Sequence, residues 1–472
     1  MNATKAVERV RVMAGDRQVV SQVGMHLLGD LADRTGLTSA YSTAVPWTGE
    51  RAPGHDRGRL LAQVAVMLAG GGQCVADMAA LRDQADLFGD VASAPTIWRA
   101  VSEVDDAVLD DLRRGRAQAR AKVWASGDSP EQVILDVDAA LVEVHSENKE
   151  SAASHFKGGY GFHPMFCFAD HSGEALAGIL RAGNANANSG ADQLAVVERA
   201  IAQLPPEHRA GHRAGDDAGD VVHPIVVRTD TAGYVAAFVA ALVARNVEFS
   251  IGARVNDQVS AAIGAVPPGT WRRAIDAEGE LRHRGEVAEL DVSIPGWPPG
   301  TRAICRREQP HPGAQPRLWD TDGFRHQVTL TNSAGDILEL ELRQRRHARV
   351  ENAIKALRDT GLDRMPFRRF AANQAVAGAG ARRRRPTGLA ANRRPRRRPD
   401  PRRTQDAALP AAACRGAHGA PGPPGCAPSP RALALGRRAG RGLPPGQTPR
   451  HLKTHTPAGP RPSLTTRAQA RI

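Results

Sequence analysis

The spacing of apolar and polar residues divides the chain into helical and strand-rich stretches. Between about residues 56 and 123 apolar residues recur three and four apart, as in "RGRLLAQVAVMLAGGG" and "CVADMAALRDQADLFG", and this spacing predicts helices. A further helix is predicted in "SAPTIWRAVSEVDDAVLDDLRRG", with Ser93 as N-cap and Pro95 in the first turn. A helix, a short turn and a helix opening with Thr96, Trp98 and Arg99 fit either a DNA-reading helix-turn-helix or an ordinary helical hairpin.

From residue 131 the pattern predicts three successive strands, in "EQVILDVDAALVEVHS", "GYGFHPMFCFAD" and "EALAGILRAG". A helix in "SGADQLAVVERAIAQLP", a buried strand in "HPIVVRTD", a helix in "AAFVAALVARN" and a strand in "VEFSIG" follow. Three meandering strands followed by alternating helices and strands predict an α/β (α+β) fold, with a mixed sheet flanked by helices.

Short strand-like pieces separated by Pro and Gly follow this region and predict a β-rich insertion. They are "TWRRA", "EVAELDVSI", "TRAICRR", "HQVTLTN" and "DILELEL". The chain then returns to a helix in "RHARVENAIKALRDTGL", which Gly361 closes. The predicted organisation has five parts: a mostly helical N-terminal domain with a DNA-binding role (1–125), the first part of the core (130–253), the insertion (254–340), a core helix (341–375) and a tail (376–472).

The net charge of +13 is concentrated in the tail. Residues 376–472 contain 20 Arg and one Lys but only two Asp, so the rest of the chain carries a net negative charge. Nucleic-acid binding by the body of the protein therefore cannot be argued from the net charge.

The composition of the tail has two interpretations. Arg, Pro, Gly and Ala make up 67 of its 97 residues and it has no aromatic residue, which is typical of a disordered basic arm. The same composition is typical of a GC-rich gene read out of frame. Advancing the frame by one base across Val376–Gly380 allows Trp-Leu-Ala-Leu, a good helix continuation, and this favours a frameshift near Ala375.

The remaining composition narrows the class of protein. The longest apolar run, "AAFVAALVA" at 236–244, is far shorter than the roughly 20 residues of a membrane span. With no apolar signal core at the N-terminus, a soluble cytoplasmic protein is expected. The five cysteines are scattered without a paired spacing, which argues against a disulfide scaffold or a zinc site.

Three acidic residues stand where a folded chain ordinarily avoids them. Asp138 interrupts the first apolar strand, Asp230 ends the buried strand "IVVRTD", and Glu351 lies on the helix "RVENAIKALRD". Carboxylates that converge in a site of low dielectric constant repel one another and require cations between them. Their hard oxygen ligands suit Mg²⁺ or Mn²⁺, and two such ions can drive an in-line phosphoryl displacement.

Several blocks of the sequence together resemble DDE-type insertion-sequence transposases, most closely the insertion-sequence group thirteen-eighty. They include "LDVDAALVEVHSE", "FKGGYGFHPM", "VVRTDTAGY", "RHARVENAIKALRDTGL" and "PFRRFAANQA", and the resemblance spans about residues 15–375. It implies an RNase H-like core with Asp138, Asp230 and Glu351 as catalytic residues and ligands of two Mg²⁺ or Mn²⁺ ions. The family context selects Asp138 over Asp136.

The resemblance also implies the partners of the protein. They are the terminal inverted repeats of the element, the target DNA and a second copy of the chain in the synaptic complex, with a nucleoid-associated location.

The sequence departs from the family pattern at several positions. Where the wider superfamily has Tyr, Arg and Lys around its Glu, this chain has Gln344, His347 and Arg358. Ala140 stands where the related motif has Thr.

The candidate DNA contacts are Arg358 and, less strongly indicated, Arg349, together with Arg99 of the helix-turn-helix interpretation. Trp319 of the insertion is either a residue that stacks a flipped base or a core tryptophan. Three functions stay open: a transposase that cleaves and joins DNA, a catalytically impaired DNA-binding remnant that inhibits intact transposase, and a metal-dependent nuclease that does not join DNA.

Overall fold

The computed structural model describes residues 23–47, 49–50, 53–209, 225–311, 313–315, 320 and 322–379, with only the backbone described for 375–379. All described residues belong to one compact unit within residues 1–393. The strands are β1 (Val133–Ala139), β2 (Val142–Glu143), β3 (Ala153–Ser154), β4 (Tyr160–Phe162), β5 (Met165–Ala169), β6 (Glu174–Ile179), β7 (Ile225–Thr229), β8 (Glu248–Ala253), β9 (Arg272–Ile275), β10 (Leu281–Leu290), β11 (Arg302–Glu308) and β12 (Arg325–Thr331). The helices are α1 (Val23–Arg34), α2 (Leu37–Ala44), α3 (Arg57–Ala69), α4 (Ala79–Arg82), α5 (Ala85–Phe88), α6 (Ala94–Ser102), α7 (Asp106–Val123), α8 (Gly190–Ile201), α9 (Pro206–Arg209), α10 (Ala236–Val243), α11 (Asp257–Ala265), α12 (Ile337–Arg345), α13 (Arg349–Asp359) and α14 (Phe370–Ala379).

A nine-stranded sheet in the order β6-β5-β1-β7-β8-β12-β11-β10-β9 is the centre of the fold. The neighbours β1, β7 and β8 run parallel, whereas the other neighbouring pairs are antiparallel. This arrangement confirms the predicted mixed sheet flanked by helices, with the three meandering and two parallel strands of an RNase H-like core. The strands β9–β12 continue this sheet beyond β8, because β12 pairs with β8 along Val328–Thr331.

The two faces of β1 enter different surroundings because successive side chains of a strand point to opposite sides. Val133, Leu135 and Val137 belong to a core that also contains apolar residues of α8, α10 and α11. On the opposite side, Phe166 and Phe168 of β5 pack in a second core with Val350, Ile354 and Leu357 of α13. Asp136 and Asp138 are the register partners of Phe168 and Phe166, so both aspartates lie on the side that α13 covers.

Two of the predicted strands are each divided between two sheets, which corrects the continuous strands expected from sequence. After β1 the chain leaves the large sheet, and β2 pairs with β4 in a separate three-stranded sheet of order β2-β4-β3. The predicted strand at 159–170 breaks at His163 and Pro164 into β4 and β5. Proline has no N–H to donate to a ladder, although its carbonyl accepts from the backbone N–H of Ala140 at 3.0 Å.

The strand-like piece "DILELEL" was wrongly assigned, because it forms the helix α12. Its alternation of apolar and acidic residues fits a strand, but Asp336 caps a helix by accepting from the N–H of Leu338. Glu341 is buried and forms ion pairs with Arg306 and Arg345. The pair with Arg306 of β11 is a tertiary contact that the local pattern does not reveal, and it explains why an acidic residue is buried on this helix.

The N-terminal region is helical, as the spacing predicts. Ser93 stands at the N-cap position of α6, although its hydroxyl bonds to the Thr96 hydroxyl at 3.0 Å and not to the backbone. The helical pattern of "CVADMAALRDQADLFG" forms three short pieces, a 3₁₀ turn, α4 and α5, the last of which ends at Phe88. No helix among the described residues is long and apolar enough to cross a membrane.

A buried ion-pair cluster fastens α7 to the edge strand β6. Glu174 accepts from Arg120 Nε at 2.9 Å and from Arg116 Nη2 at 3.2 Å, and both arginines are buried. Burial by itself raises the pKa of Glu174, but the charges and hydrogen bonds of Arg120 and Arg116 outweigh it and lower this pKa to about 2. The cluster therefore stabilises the folded state at neutral pH.

Replacing Glu174 with Gln is expected to lower the free energy of unfolding at pH 7 by about 3 kcal/mol. Because the folded-state pKa of Glu174 lies below its unfolded value, its contribution is complete above about pH 4.5 and is lost as the pH falls towards 2. Urea unfolding of both proteins between pH 7 and pH 3 measures this difference. A gap that stays constant over the whole range would contradict the assignment.

Candidate active site

Asp138 and Asp230 stand side by side at the carboxyl ends of two parallel strands. The register of β1 and β7 pairs Asp136 with Arg228 and Val137 with Thr229. The next step of the same register brings Asp138 beside Asp230, which directly follows β7. Adjacent strands lie about 4.8 Å apart, so the fold brings together two aspartates that are 92 positions apart in sequence.

Glu351 reaches the same region from the helix that covers this face of the sheet. It lies in the first turn of α13, and α13 packs Val350, Ile354 and Leu357 against the core that contains Phe166 and Phe168. Since Phe166 is the register partner of Asp138, this packing directs the start of α13 towards the end of β1.

The pKa of Asp138 responds to both of the other acids. Burial above all, and to a smaller extent the negative charges of Asp230 and Glu351, raise the pKa of this carboxyl group, which comes to about 6. The N–H of Ala139 and the imidazole of His347 act in the opposite direction. A carboxyl group that resists ionisation beside two other acids is the electrostatic situation that a bound cation relieves.

Each of the three acids keeps oxygen atoms available for a ligand. Asp138 Oδ1 accepts from the N–H of Ala139 at 2.7 Å, and Asp230 Oδ1 accepts from the N–H of Ala232 at 2.8 Å. The Oδ2 atoms of both aspartates and the exposed carboxylate of Glu351 have no hydrogen-bond partner among the described residues. Among all the residues that the structure describes, no group of three or more His, Cys, Asp or Glu side chains is already close enough together to hold a metal ion.

A buried ion-pair network lies directly behind these acids. Asp136, two residues before Asp138, accepts from Arg228 Nε and Nη2 through its two oxygens, both at 2.6 Å. Arg228 is fully buried, and it also donates to Asp170 at 2.8 Å and to the carbonyl of Arg343. Burial lowers the pKa of Arg228, but its bonds to Asp136 outweigh this effect and the pKa is raised.

Two side chains next to α13 connect its start to the strands that carry the aspartates. His347 Nδ1 lies 2.7 Å from Asp136 Oδ1. Gln344 donates to the carbonyl of Thr229 at 2.8 Å and accepts from the Ser250 hydroxyl at 2.7 Å. His347 is buried, and its Nε2 has no hydrogen-bond partner among the residues that the structure describes.

The site therefore has two rows of side chains, one behind the other. The inner row is Asp136, Arg228 and His347, which bind one another through Asp136. The outer row is Asp138, Asp230 and Glu351. On the strands, Asp138 and Asp230 each follow a member of the inner row by two residues, so they lie on the same side of the sheet. Glu351 follows His347 by four residues, which is about one helical turn.

The sequence-predicted DNA contacts have different surroundings. Arg358 is exposed on α13, and its Nη2 donates to the carbonyl of Leu141 at 2.8 Å. Leu141 follows Asp138 by three residues, so this contact brings Arg358 to the end of β1. Arg349 and Arg99 are also exposed, and Arg99 makes a long 3.4 Å contact with Thr96. Trp319 lies outside the described residues. The roles of all four in DNA binding remain predictions.

Sequence reasoning identified the outer row but missed the inner row. Asp136 was set aside in favour of Asp138, Arg228 was not considered, and His347 was seen only as a departure from a family pattern. A signal was nevertheless present, because Asp136 and Arg228 each precede an outer aspartate by two residues in strands that read as buried. Opposite charges at matching positions of two buried strands indicate a cross-strand ion pair.

The family of the chain follows from comparison with known proteins. The model of the family "Transposase DDE domain group 1" matches residues 2–376, and the chain belongs to this family. A comparison with curated protein sequences gives no match. A solved structure similar to the chain is a cryo-EM structure of the piggyBac transposase synaptic complex with hairpin DNA. The identity is 10%, the similarity covers 75% of this chain and 73% of that chain, and the TM-score is 0.35.

Proposed function

We propose that this protein is a DDE transposase that cleaves DNA at the ends of its insertion sequence and transfers the freed 3′ ends to target DNA. The observation that carries the proposal is the alignment of Asp138 with Asp230 at the carboxyl ends of β1 and β7, in a chain that belongs to a transposase family. The influence of Glu351 and Asp230 on the pKa of Asp138 supports a shared role for the three acids.

The donor set fits divalent cations of the Mg²⁺ or Mn²⁺ type. Asp138, Asp230 and Glu351 would hold two such ions through hard carboxylate oxygens. Mg²⁺ commonly binds through one or two carboxylates together with substrate phosphates, so a complete protein cage is not required in the free enzyme. When bound, the ions supply Lewis-acid stabilisation of the phosphoryl group and of the oxygens that attack and leave.

The other residues of the site have supporting roles in this proposal. Arg358, next to the end of β1, binds a phosphate of the DNA backbone, with Arg349 and Arg99 as further phosphate contacts. Strand transfer requires two element ends at once, for which a homodimer in a synaptic complex is the proposed assembly. These partners rest on the family and on the site, not on the net charge.

A second candidate function is a catalytically impaired remnant that binds DNA and inhibits intact transposase. Its support is the tail, whose 20 arginines and absence of aromatic residues suit an out-of-frame product with non-specific phosphate affinity. A cavity of about 1240 Å³ also supports it, lined mainly by apolar residues of α3, α6 and α7 together with Gly361, Leu362 and Phe367. The last described helix, α14, contacts α7, and the occupant that we propose for this cavity is the helix continuation that a shifted frame would encode.

An assay with DNA that contains the element ends distinguishes these functions. In the presence of Mg²⁺, the wild-type protein is expected to cleave the ends and form strand-transfer products, whereas Glu351→Gln is expected to bind the same DNA and form none. Cleavage without joined products would indicate a metal-dependent nuclease. Binding without cleavage by the wild-type protein would favour the remnant. A protein in which the tail after Ala375 is replaced by the sequence of the alternative frame is then expected to cleave.

Replacing Arg358 with Ala is expected to weaken DNA binding to a similar extent for all sequences. Loss of one phosphate contact should lower the slope of log K against log salt by about 1. Fluorescence anisotropy titrations at salt concentrations between about 50 and 200 mM measure the slope for each protein. Arg245→Ala is the matched control, since Arg245 is also exposed but lies next to Glu198 on the other side of the sheet. Equal salt slopes for the two variants would contradict the role of Arg358.

A further inference from the structure

Glu351 depends on its helix for its position. The aspartates of the outer row each have one oxygen bound to a backbone N–H, but the side chain of Glu351 makes no hydrogen bond or ion pair among the described residues. The placement of its carboxylate relative to the strands is therefore set by how α13 is held. Small displacements of a reacting group are costly in catalysis, so the means of holding this helix bear on function.

Two polar anchors hold the start of α13, one at each of the two strands that carry the aspartates. His347 is bonded to Asp136, which precedes Asp138 by two residues on β1. Gln344 is bonded to the carbonyl of Thr229, the residue directly before Asp230. Glu351 therefore follows the anchor on β1, His347, by four residues and the anchor on β7, Gln344, by seven residues.

The anchor on β1 has a defined chemistry. Both oxygens of Asp136 accept from the guanidinium of the buried Arg228, and this pairing identifies Asp136 as an ionised acceptor. An ionised carboxylate can only accept hydrogen bonds, and His347 Nδ1 must be the donor. Arg228 holds both oxygens of Asp136 in a buried bidentate pair, which fixes the carboxylate to which His347 bonds.

We infer that His347 and Gln344 are positioning residues, which set Glu351 against Asp138 and Asp230 and thereby raise the affinity of the site for divalent cations. Asp136 and Arg228 are the rigid base for the His347 anchor. This inference rests on the proposed function, because it concerns the same three acids. It adds that the metal affinity of the site depends on two side chains that are not themselves ligands.

A purely structural role for the same bonds has a different consequence. If His347 and Gln344 only stabilise the fold, their loss lowers stability but leaves the metal affinity of the folded protein unchanged. Partners behind metal ligands generally contribute a factor of about 10–100 in metal affinity or activity. Metal binding measured on folded protein therefore separates the two roles.

The experiment measures Mn²⁺ binding to the full chain by electron paramagnetic resonance of free Mn²⁺, below the unfolding temperature of every variant. His347→Leu is expected to weaken Mn²⁺ binding by about 10–100-fold. His347→Asn, whose amide can still donate to Asp136 from nearly the place of Nδ1, is expected to recover most of this loss. Glu174→Gln is the control, because it removes a buried ion pair far from the site and should leave Mn²⁺ affinity unchanged.

Gln344→Met provides a second variant in case His347→Leu does not fold. It removes the bond to the Thr229 carbonyl without leaving a charge unpaired, and it is expected to weaken Mn²⁺ binding in the same direction. Wild-type affinity in folded His347→Leu or, if that variant is unfolded, in Gln344→Met would overturn the inference while leaving the proposed function intact. Absence of Mn²⁺ binding in the wild-type protein, with or without end DNA, would overturn the proposed function and the inference together.

Discussion

Replacing Asp138 with Asn is expected to reduce DNA cleavage by at least about 10³-fold while leaving the fold and DNA binding in place. The amide keeps the shape of the side chain but loses the charge that holds a divalent cation beside Asp230. Removing about 4 kcal/mol of transition-state stabilisation corresponds to roughly this factor. Single-turnover cleavage of end DNA, with anisotropy to measure DNA binding, checks both parts of the expectation.

The same substitution is expected to increase stability. The pKa of Asp138 in the folded protein, about 6, lies above its value in the unfolded chain, so the folded state disfavours the carboxylate above pH 6. Replacement by Asn should therefore raise the free energy of unfolding at pH 7 by about 1–2 kcal/mol, allowing for partial exposure. The difference should vanish below about pH 4, where the carboxyl group is protonated in both states.

A gain in stability together with a loss of cleavage would show that Asp138 is retained for chemistry at a cost to the fold. Asp136→Asn is the informative comparison, because its carboxylate has a lowered pKa and stabilises the folded protein. That variant is expected to lose stability. Full cleavage activity in Asp138→Asn, or a loss of stability equal to that of Asp136→Asn, would contradict the division into inner and outer rows.

Replacing Arg228 with Met is expected to cause the largest loss of stability of any single change described above, about 3–5 kcal/mol. The substitution leaves the carboxylates of Asp136 and Asp170 without their shared cation, in a place where Asp136 has almost no access to water. For a unit of this size, the loss should lower the melting temperature by roughly 5 °C. Differential scanning calorimetry and urea unfolding measure the change.

Two controls show whether the loss comes from the unpaired buried charge. Arg245→Met makes the same chemical change in the exposed pair with Glu198, where a loss of about 1 kcal/mol or less is expected. Combining Asp136→Asn with Arg228→Met removes the more deeply buried of the two stranded charges but keeps a carbonyl acceptor for His347, and it should recover part of the stability. A double variant that is less stable than Arg228→Met alone would contradict this explanation.

Much of the catalytic core could be predicted because its signals are local. Apolar runs marked β1 and β7, so that Asp138 and Asp230 stood out as charges in strands that otherwise read as buried, whereas Glu351 was selected on the predicted helix α13 by the family resemblance. The edge where strands end is also where ligand sites form in open sheets. Each acid could therefore be found from its own segment together with a family resemblance.

The inner row could not be predicted in the same way because it depends on pairing between distant segments. Asp136 meets Arg228 only because β1 and β7 are parallel neighbours in one particular register. A shift of that register by one residue would turn every side chain of a strand to the other face. His347 then meets Asp136 only through the packing of α13 on β5, and no local pattern contains that information.

The errors in secondary structure have a similar origin. The residues of α12 alternate as a strand does, but the sheet already supplies β9, β10 and β11 for a helix to cover, and Leu340 packs against Ala274, Val287 and Ile304. The division of β4 from β5 arises because the chain passes between two sheets at Pro164. In both cases tertiary packing determines the outcome.

The most direct test of the account is anomalous diffraction at the manganese edge from crystals of the protein with end DNA and Mn²⁺. The account predicts a peak at ordinary coordination distance, about 2 Å, from carboxylate oxygens of Asp138 and Asp230, with Glu351 contributing to the same site. It further predicts that the carboxylate of Asp136 stays bound to Arg228 and His347. A peak on Asp136, or metal bound elsewhere with Asp138 and Asp230 free of it, would contradict the account.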